Sequence, residues 1–145
     1  MTTVDLIAEL AKKSGLVWIS YAQESRPVWH EWVGDAVCVV SGGAEQPLPG
    51  IADHQLVTLS LRSKSNRALV AQAEARVEVV TPDSEHWDPI TSALKSGRLN
   101  LADGDHAIDR WARESLVVRL IPTGEVTLPD QIASALGHTS PRLVL

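Results

Sequence analysis

The sequence predicts a mainly β (α+β) protein, in which six strands form a small antiparallel β-barrel with a few peripheral helices. Apolar and polar residues alternate through residues 68–80, as in a strand whose two faces have different surroundings. Gly34 and Asp35 separate two apolar runs, which is a strong signal of a tight hairpin. Sequential hairpins exclude a parallel doubly wound sheet, and closure into a barrel removes exposed strand edges.

The individual elements follow from local signals in chain order. Thr2 can cap a first helix, with Asp5 completing a capping box and Gly15 ending the helix. Strands are predicted at residues 16–21, 26–33, 36–41, 56–61, 68–80 and 115–121. Further helices are predicted at residues 88–97, 108–112 and 129–136. The alanines of the long strand indicate either a tight barrel interior or close packing on another subunit.

Composition limits the class of protein. The 145 residues, 44% of them apolar, fit one domain spanning residues 1–145. A net charge of −5 is the opposite of the basic surface that nucleic-acid binding requires. Cys38 is the only cysteine, the first residues do not resemble a signal peptide, and no apolar run reaches the ~20 residues of a membrane span. We therefore expect a cytoplasmic protein with no nucleic-acid or membrane partner.

Two polar segments are candidate anion-binding sites. Ser41, Gly42 and Gly43 end a predicted strand, where their backbone N–H groups either bind a phosphate or form a simple turn. Arg62 and Lys64 end another strand, where they either hold an anionic group or are solvated surface charges. The sequence alone leaves both choices open.

Aromatic and histidine side chains form a third candidate site on strand 26–33. A period of two places His30 and Trp32 on one face and Trp29 on the other. These side chains either contact a ligand or pack in the core. The five histidines show no His-x-x-x-His pair, so no metal site is predicted. Cys38 lies between two valines and is predicted to be a buried apolar residue.

The order of these segments resembles the pyridoxamine 5′-phosphate oxidase-like proteins, a family that includes flavin and deazaflavin reductases of actinobacterial type. The resemblance rests on the run RPVWHEW at residues 26–32, the Gly-Asp hairpin, the strand ending VSGG, the long strand 70–80 and the closing segment 117–123. It covers about residues 5–125 and leaves 126–145 as a C-terminal tail with a short helix. It implies a six-stranded antiparallel split β-barrel, acting as a homodimer with FMN or the deazaflavin coenzyme F-420 in clefts at the subunit interface.

The resemblance also implies a set of cofactor-binding residues and a function. The implied residues are Trp29, His30, Ser41, Gly42, Gly43, Gln46, Pro47, Arg62 and Lys64. The implied function is a flavin- or deazaflavin-dependent oxidoreductase acting on a small organic substrate, the alternative being a cofactor- or ligand-binding protein without enzymatic activity. Gln46 stands where the family has a lysine and Glu45 precedes it, so the sequence predicts that this loop repels phosphate and that FMN binding is weak or lost. No catalytic residue is predicted.

Overall fold

The computed structural model describes residues 2–62, 68–98 and 106–128. The three helices are α1 (Thr3–Lys13), α2 (Trp87–Gly97) and α3 (Ala107–Glu114). The seven strands are β1 (Leu16–Tyr21), β2 (Glu24–Trp29), β3 (Glu31–Val33), β4 (Ala36–Ser41), β5 (Leu56–Arg62), β6 (Leu69–Val80) and β7 (Leu116–Thr127). A short 3-10 helix covers Ile51–Asp53. The predicted fold class is confirmed, with seven strands rather than six.

The extra strand arises where one predicted strand divides at His30. The strands form one antiparallel sheet in the order β2-β1-β5-β6-β7-β4-β3. The two edge strands, β2 and β3, are therefore neighbours in the chain, separated only by His30. The chain leaves β1 at the end of β2 and pairs with β4 immediately afterwards. This crossing from one edge to the other closes the sheet into a barrel, which a periodicity of two cannot reveal.

Helix α1 begins as its sequence predicts. The Asp5 N–H donates to Thr2 Oγ1 over 3.1 Å and the Thr2 N–H donates back to Asp5 Oδ2 over 3.2 Å, so the capping box is confirmed. Ile7 and Ala11 are buried on the inner face of the helix, which contacts β3, β5 and β7. The helix ends with its cap at Ser14, one residue before the predicted stop. Its C-terminal end thereby lies beside the crossing between β2 and β3.

Two apolar cores share strand β4, whose six residues are all buried. Val37 and Val39 point into the barrel interior, whereas Ala36, Cys38 and Val40 pack with residues of α2 and α3. Burial raises the pKa of the Cys38 thiol to about 12, so the thiol stays protonated and behaves as the predicted apolar residue. Helices α2 and α3 therefore cover the outer face of the β4 region.

The long strand β6 lies in the barrel wall, and its alanine side chains face the tight interior. Ala71, Ala73 and Ala75 are all buried, and the last two belong to the barrel core. This agrees with the first of the two explanations for the small residues. The neighbouring strand, β7, continues past its predicted end. Pro122 pairs with Ala75, next to a shift in the register of the β6–β7 ladder. The predicted strand end at residue 121 therefore lies close to an irregularity within the longer strand.

The predicted helix at residues 129–136 lies outside the described residues. Helices α2 and α3 confirm the other two helix predictions with ends shifted by a residue or two. Within the ranges 2–62, 68–98 and 106–128, no helix is long and apolar enough to cross a membrane.

Candidate functional site

One end of the barrel carries a row of aromatic, aliphatic and basic side chains on its outer face. Leu16 pairs with Trp29 across β1 and β2, and Trp18 pairs with Ser60 across β1 and β5. Continuing the second ladder by two residues brings Arg62 level with Leu16. Cross-strand partners project from the same face, so these side chains form one surface, about 10 Å wide between the outer strands. We call Leu16, Trp18, Trp29, Arg62 and Arg98 the rim platform.

Each tryptophan of the rim platform carries a guanidinium over its ring. The Arg62 guanidinium carbon lies 5.6 Å from the Trp18 ring centre, and that of Arg98 lies 4.9 Å from the Trp29 ring centre. Such contacts hold the positive charge against the ring face. Leu16, between the two pairs, is 52% exposed. The platform therefore presents an accessible apolar centre flanked by two guanidinium groups, of which that of Arg98 is paired with Glu45.

A cleft of about 260 Å³ opens beside the rim platform, where α1 ends, β2 passes into β3 and α2 ends. Its lining residues are Ala11, Lys12, Ser14, Gly15, Trp29, His30, Glu31, Trp32 and Gly97. Trp29 belongs to both the cleft and the rim platform. The Ser14 hydroxyl also donates to the Arg62 carbonyl over 2.9 Å, which fixes the end of α1 against the end of β5. The cleft and the platform are therefore adjoining parts of one region.

His30 anchors the end of α1 to the crossing between β2 and β3. Its Nε2 lies 2.8 Å from the Ala11 carbonyl, which requires a proton on that nitrogen. Nδ1 is buried and has no hydrogen-bond partner among the described residues. Burial lowers the pKa of His30, an effect only partly offset by the carbonyls of Ala11 and Val28. The imidazole is therefore neutral at pH 7 and its first role is structural.

Glu31 places a carboxylate against the C-terminal end of α2. A Cβ atom built at Gly97 would overlap the Glu31 carboxylate, so only glycine allows this approach. Partial burial raises the pKa of Glu31. Across the described ranges, no hydrogen bond or ion pair to this carboxylate is formed. The group is therefore a negative charge without a counter-ion at the wall of a cleft.

The loop after β4 supports Trp29 from behind. The Trp29 N–H donates to Gln46 Oε1 over 3.0 Å, and Gln46 Nε2 donates to the Trp29 carbonyl over 2.9 Å. The Gly42 N–H donates to the Gln46 carbonyl over 3.0 Å, so this donor is used within the loop. Buried Ser41 bridges to Gln46, whereas Pro47 is exposed. The Gln46 amide thus makes the two backbone hydrogen bonds at Trp29 that a neighbouring strand would make, at the end of β2.

The prediction that Glu45 repels phosphate from this loop is wrong in its physical basis. The Glu45 side chain is only 1% exposed and forms an ion pair with Arg98. Its Oε2 also accepts from Arg110 over 2.9 Å and from the Trp111 Nε1–H over 3.1 Å. Two guanidinium groups neutralise the carboxylate, so it projects no field towards a ligand. This buried ion pair instead fastens the loop to α2 and α3.

The predicted site residues divide into three groups. Trp29 and His30 line the cleft, and Arg62 lies on the adjoining platform. Ser41 and Gln46 support Trp29 from behind, as described above, while Gly43 packs tightly against the end of α3. Lys64 lies outside the described residues. In the part of the chain that the structure describes, no group of three histidine, cysteine or acidic side chains could hold a metal ion.

Sequence reasoning missed four residues of this region: Leu16, Trp18, Arg98 and Gly97. It considered Glu31 only as part of a strand. The pairing of β1 between β2 and β5 brings the first two to the rim, and the packing of α2 supplies the others. The five tryptophans of the sequence are equally compatible with core packing and with contacts to planar ligands.

No family model matches this chain, and no curated protein sequence matches it. Solved structures do match. The HutZ heme storage protein from Vibrio cholerae is 13% identical, with a TM-score of 0.61 over 88% of this chain and 95% of that one. A Listeria innocua protein provisionally described as a pyridoxamine 5′-phosphate oxidase is 9% identical, with a TM-score of 0.56 over 88% and 98% of the two chains.

Two further matches have names that specify a cofactor. An FAD-binding protein from Mesorhizobium loti is 12% identical, with a TM-score of 0.56 over 87% of this chain and 90% of that chain. An F-420 reductase is 16% identical, with a TM-score of 0.51 over 82% and 94%. The fold is a split barrel. At these identities the likeness establishes the fold alone, and the function of this split barrel has to be argued from its own residues.

Proposed function

We propose that this split barrel binds a planar flavin-type cofactor, FMN or the deazaflavin F-420, on the rim platform and transfers a hydride to or from a small organic substrate. The observation that carries the proposal is the pair of tryptophan–guanidinium contacts on either side of exposed Leu16. A flat ring system gains from stacking on such a surface. The guanidinium of Arg62 suits a phosphate or carboxylate on the cofactor tail.

The protein's own residues need only bind and orient such a cofactor, because the cofactor supplies the hydride chemistry. Solved structures with the same fold include the FAD-binding protein and the F-420 reductase. They support a flavin-type ligand without distinguishing between the two cofactors.

We expect the deazaflavin to bind more tightly than FMN. The loop from Gly42 to Gly50 contains no lysine or arginine. Gln46, at the position of the family's lysine, already uses both ends of its amide on Trp29. Losing one charged hydrogen bond costs about 1.5–3 kcal/mol, or one to two decades in affinity. FMN is therefore expected to bind no tighter than micromolar.

A titration with each cofactor tests this proposal. Visible absorbance and tryptophan fluorescence are followed for the parent and for Arg62→Ala, with Arg26→Ala as the matched control because Arg26 pairs with exposed Glu24 away from the platform. Arg62→Ala and Lys64→Ala are expected to weaken binding ten-fold or more, and Arg26→Ala to leave it unchanged. A protein that binds neither cofactor, or an Arg62→Ala titration that overlays the parent, would refute the proposal.

We further propose that a second copy of the chain covers the outer face of the barrel and completes the cofactor site. Leu16 and Leu56 are 52% and 47% exposed on that face, which is more apolar exposure than a monomer needs. A stable interface should bury at least ~1,000 Å² in total. Light scattering at micromolar protein is expected to give a dimer, and Leu56→Glu is expected to give monomers. A monomeric parent would contradict this part of the proposal.

The second candidate is a cofactor- or ligand-binding protein without enzymatic activity. The loop between Gly42 and Gly50, which lacks basic residues, favours it because an enzyme must hold its cofactor in one position. The two candidates differ in a single-turnover experiment with bound, chemically reduced cofactor. A panel of organic acceptors is added, and the rate at which the reduced cofactor is oxidised is compared for bound and for free cofactor. In an oxidoreductase the bound cofactor is oxidised faster than the free cofactor by at least one acceptor. In a carrier the bound cofactor is oxidised at the same rate or more slowly.

A further inference from the structure

Two helices end at the cleft beside Trp29. Helices α1 and α2 are both eleven residues long, and residues of their last turns or caps, Ala11, Ser14 and Gly97, line the cleft. The C-terminal end of a helix carries a partial negative charge equivalent to about half an electron. Two such ends therefore give this small space a negative potential before any side chain is considered.

Glu31 adds a full negative charge at the same place. Because Gly97 has no side chain, the carboxylate lies directly against the end of α2. A carboxylate at a helix C-terminus is unfavourable, since both carry negative charge. Among the described residues no positively charged side chain forms an ion pair with Glu31. An unpaired carboxylate of this kind at a cleft is typical of a site whose ligand supplies the missing charge.

The nearby basic side chains do not neutralise Glu31. Arg98 follows Gly97 directly, but its guanidinium is held between Glu45 and the Trp29 ring. Lys12 lines the cleft on an exposed part of α1, and its ammonium forms no ion pair with Glu31. The Lys12 ammonium would therefore compete with an external cation for the Glu31 carboxylate.

Two aromatic residues complete the cleft, since Trp29 and Trp32 are among its lining residues. Indole rings attract cations through their electron-rich faces, and one face of Trp29 already carries the Arg98 guanidinium. At about 260 Å³ the cleft is smaller than the usual range for drug-sized ligands. The ligand that fits is therefore small and positively charged, and a phosphate-bearing group is disfavoured.

We propose that this cleft binds a small organic cation, such as a primary ammonium compound, with Glu31 as its counter-ion and Trp29 and Trp32 as its walls. Because Trp29 also belongs to the rim platform, a cation in the cleft lies next to the surface assigned to the cofactor. The cation would then be the substrate of the oxidoreductase, and only this assignment of role rests on the proposed function. Binding of the cation does not require a cofactor.

The test uses the full chain without cofactor. Butylammonium, 1-butanol and butyrate are titrated separately at constant ionic strength, and the five tryptophan side-chain N–H signals are followed by NMR. Assignment by single Trp→Phe variants identifies each signal. Butylammonium is expected to shift the signals of Trp29 and Trp32 at concentrations at least ten-fold lower than 1-butanol, while butyrate shifts neither. Equal effects of butylammonium and 1-butanol would overturn the proposal.

Three variants locate the counter-ion. Glu31→Gln keeps the shape of the side chain and is expected to weaken butylammonium binding ten-fold or more, whereas Glu24→Gln, in an exposed ion pair outside the cleft, leaves it unchanged. Lys12→Met removes the internal competitor and is expected to tighten binding. If Glu31→Gln folds and binds as the parent does, Glu31 is not the counter-ion and the proposal fails. A failed cofactor titration would leave these outcomes unaffected.

Discussion

Glu45 and Glu31 lie at the same end of α2, yet their surroundings are opposite. Glu45 is 1% exposed and is bound by Arg98, Arg110 and the Trp111 indole. Glu31 contacts Gly97, the residue before Arg98, and has no positive partner among residues 2–62, 68–98 and 106–128. One helix end thus holds a fully neutralised carboxylate beside one that is not.

The difference separates a structural charge from a candidate functional one. A buried carboxylate is tolerated only when its partners restore the lost hydration, as they do for Glu45. Glu31 escapes that requirement because it is only partly buried and water reaches it. A carboxylate in this intermediate position remains available to a ligand, whereas Glu45 is already fully used by the protein.

The largest expected effect comes from removing the structural carboxylate. Glu45→Ala leaves two guanidinium groups and the Trp111 N–H without their shared acceptor, which should cost about 3–5 kcal/mol of unfolding free energy. Urea denaturation measures this change. Glu24→Ala, which removes a largely exposed ion pair with Arg26, is the control and should cost less than about 1 kcal/mol. Similar costs for both variants would remove the distinction drawn between Glu45 and Glu31.

A second prediction concerns pH and His30, which shares the cleft wall with Glu31. Burial lowers the pKa of His30 below its ordinary 6.5. Below pH 6.5 the unfolded chain therefore binds a proton at His30 more readily than the folded protein does. This contribution to stability is fully present above pH 6.5 and is lost as the pH falls through 6.5 towards the lowered pKa. Denaturation midpoints from pH 8 to pH 5 measure the loss.

His30→Gln is the matched variant for this titration. Its amide can still donate to the Ala11 carbonyl but has no charged form. Its stability should therefore vary less with pH over this interval than that of the parent. Parallel pH profiles would show that the acid sensitivity arises elsewhere in the protein.

The smallest expected effect, and the sharpest test of Glu31, is Gly97→Ala. The added methyl group displaces only the end of the flexible Glu31 side chain, and alanine favours a helix over glycine by about 1 kcal/mol. The variant should be as stable as the parent or slightly more so, while losing butylammonium binding because Glu31 has moved out. Unchanged binding would show that the glycine does not serve the cleft.

Local signals predicted much of the fold. The Thr2–Asp5 capping box and the Gly34-Asp35 hairpin depend on neighbours in the sequence, and both are present. Burial alternates along β6 from Val70 to Ala75, but Val79 is 39% exposed. The division of strand 26–33 at His30 was missed because it depends on which strand lies alongside, information that a periodicity does not contain. The same limitation explains why β7 was predicted to end at Ile121.

The candidate site was predicted only in part. Trp29, His30 and Arg62 stand out by residue type, and the structure brings them to one end of the barrel. Glu45 was misjudged because its partners, Arg98 and Arg110, lie 53 and 65 residues further along the chain. Whether a carboxylate is neutralised is decided by tertiary packing, and nothing near Glu45 in the sequence announces it.

The complete burial of β4 also determines how the molecule comes apart. Its side chains alternate between the barrel interior and the layer beneath α2 and α3, so neither core can be exposed without loosening this strand. The two cores should therefore unfold as one cooperative unit. Amide hydrogens of Val37, Val39 and Val40 are expected to exchange with solvent only through global unfolding, with the same free energy of opening as their partners on β7.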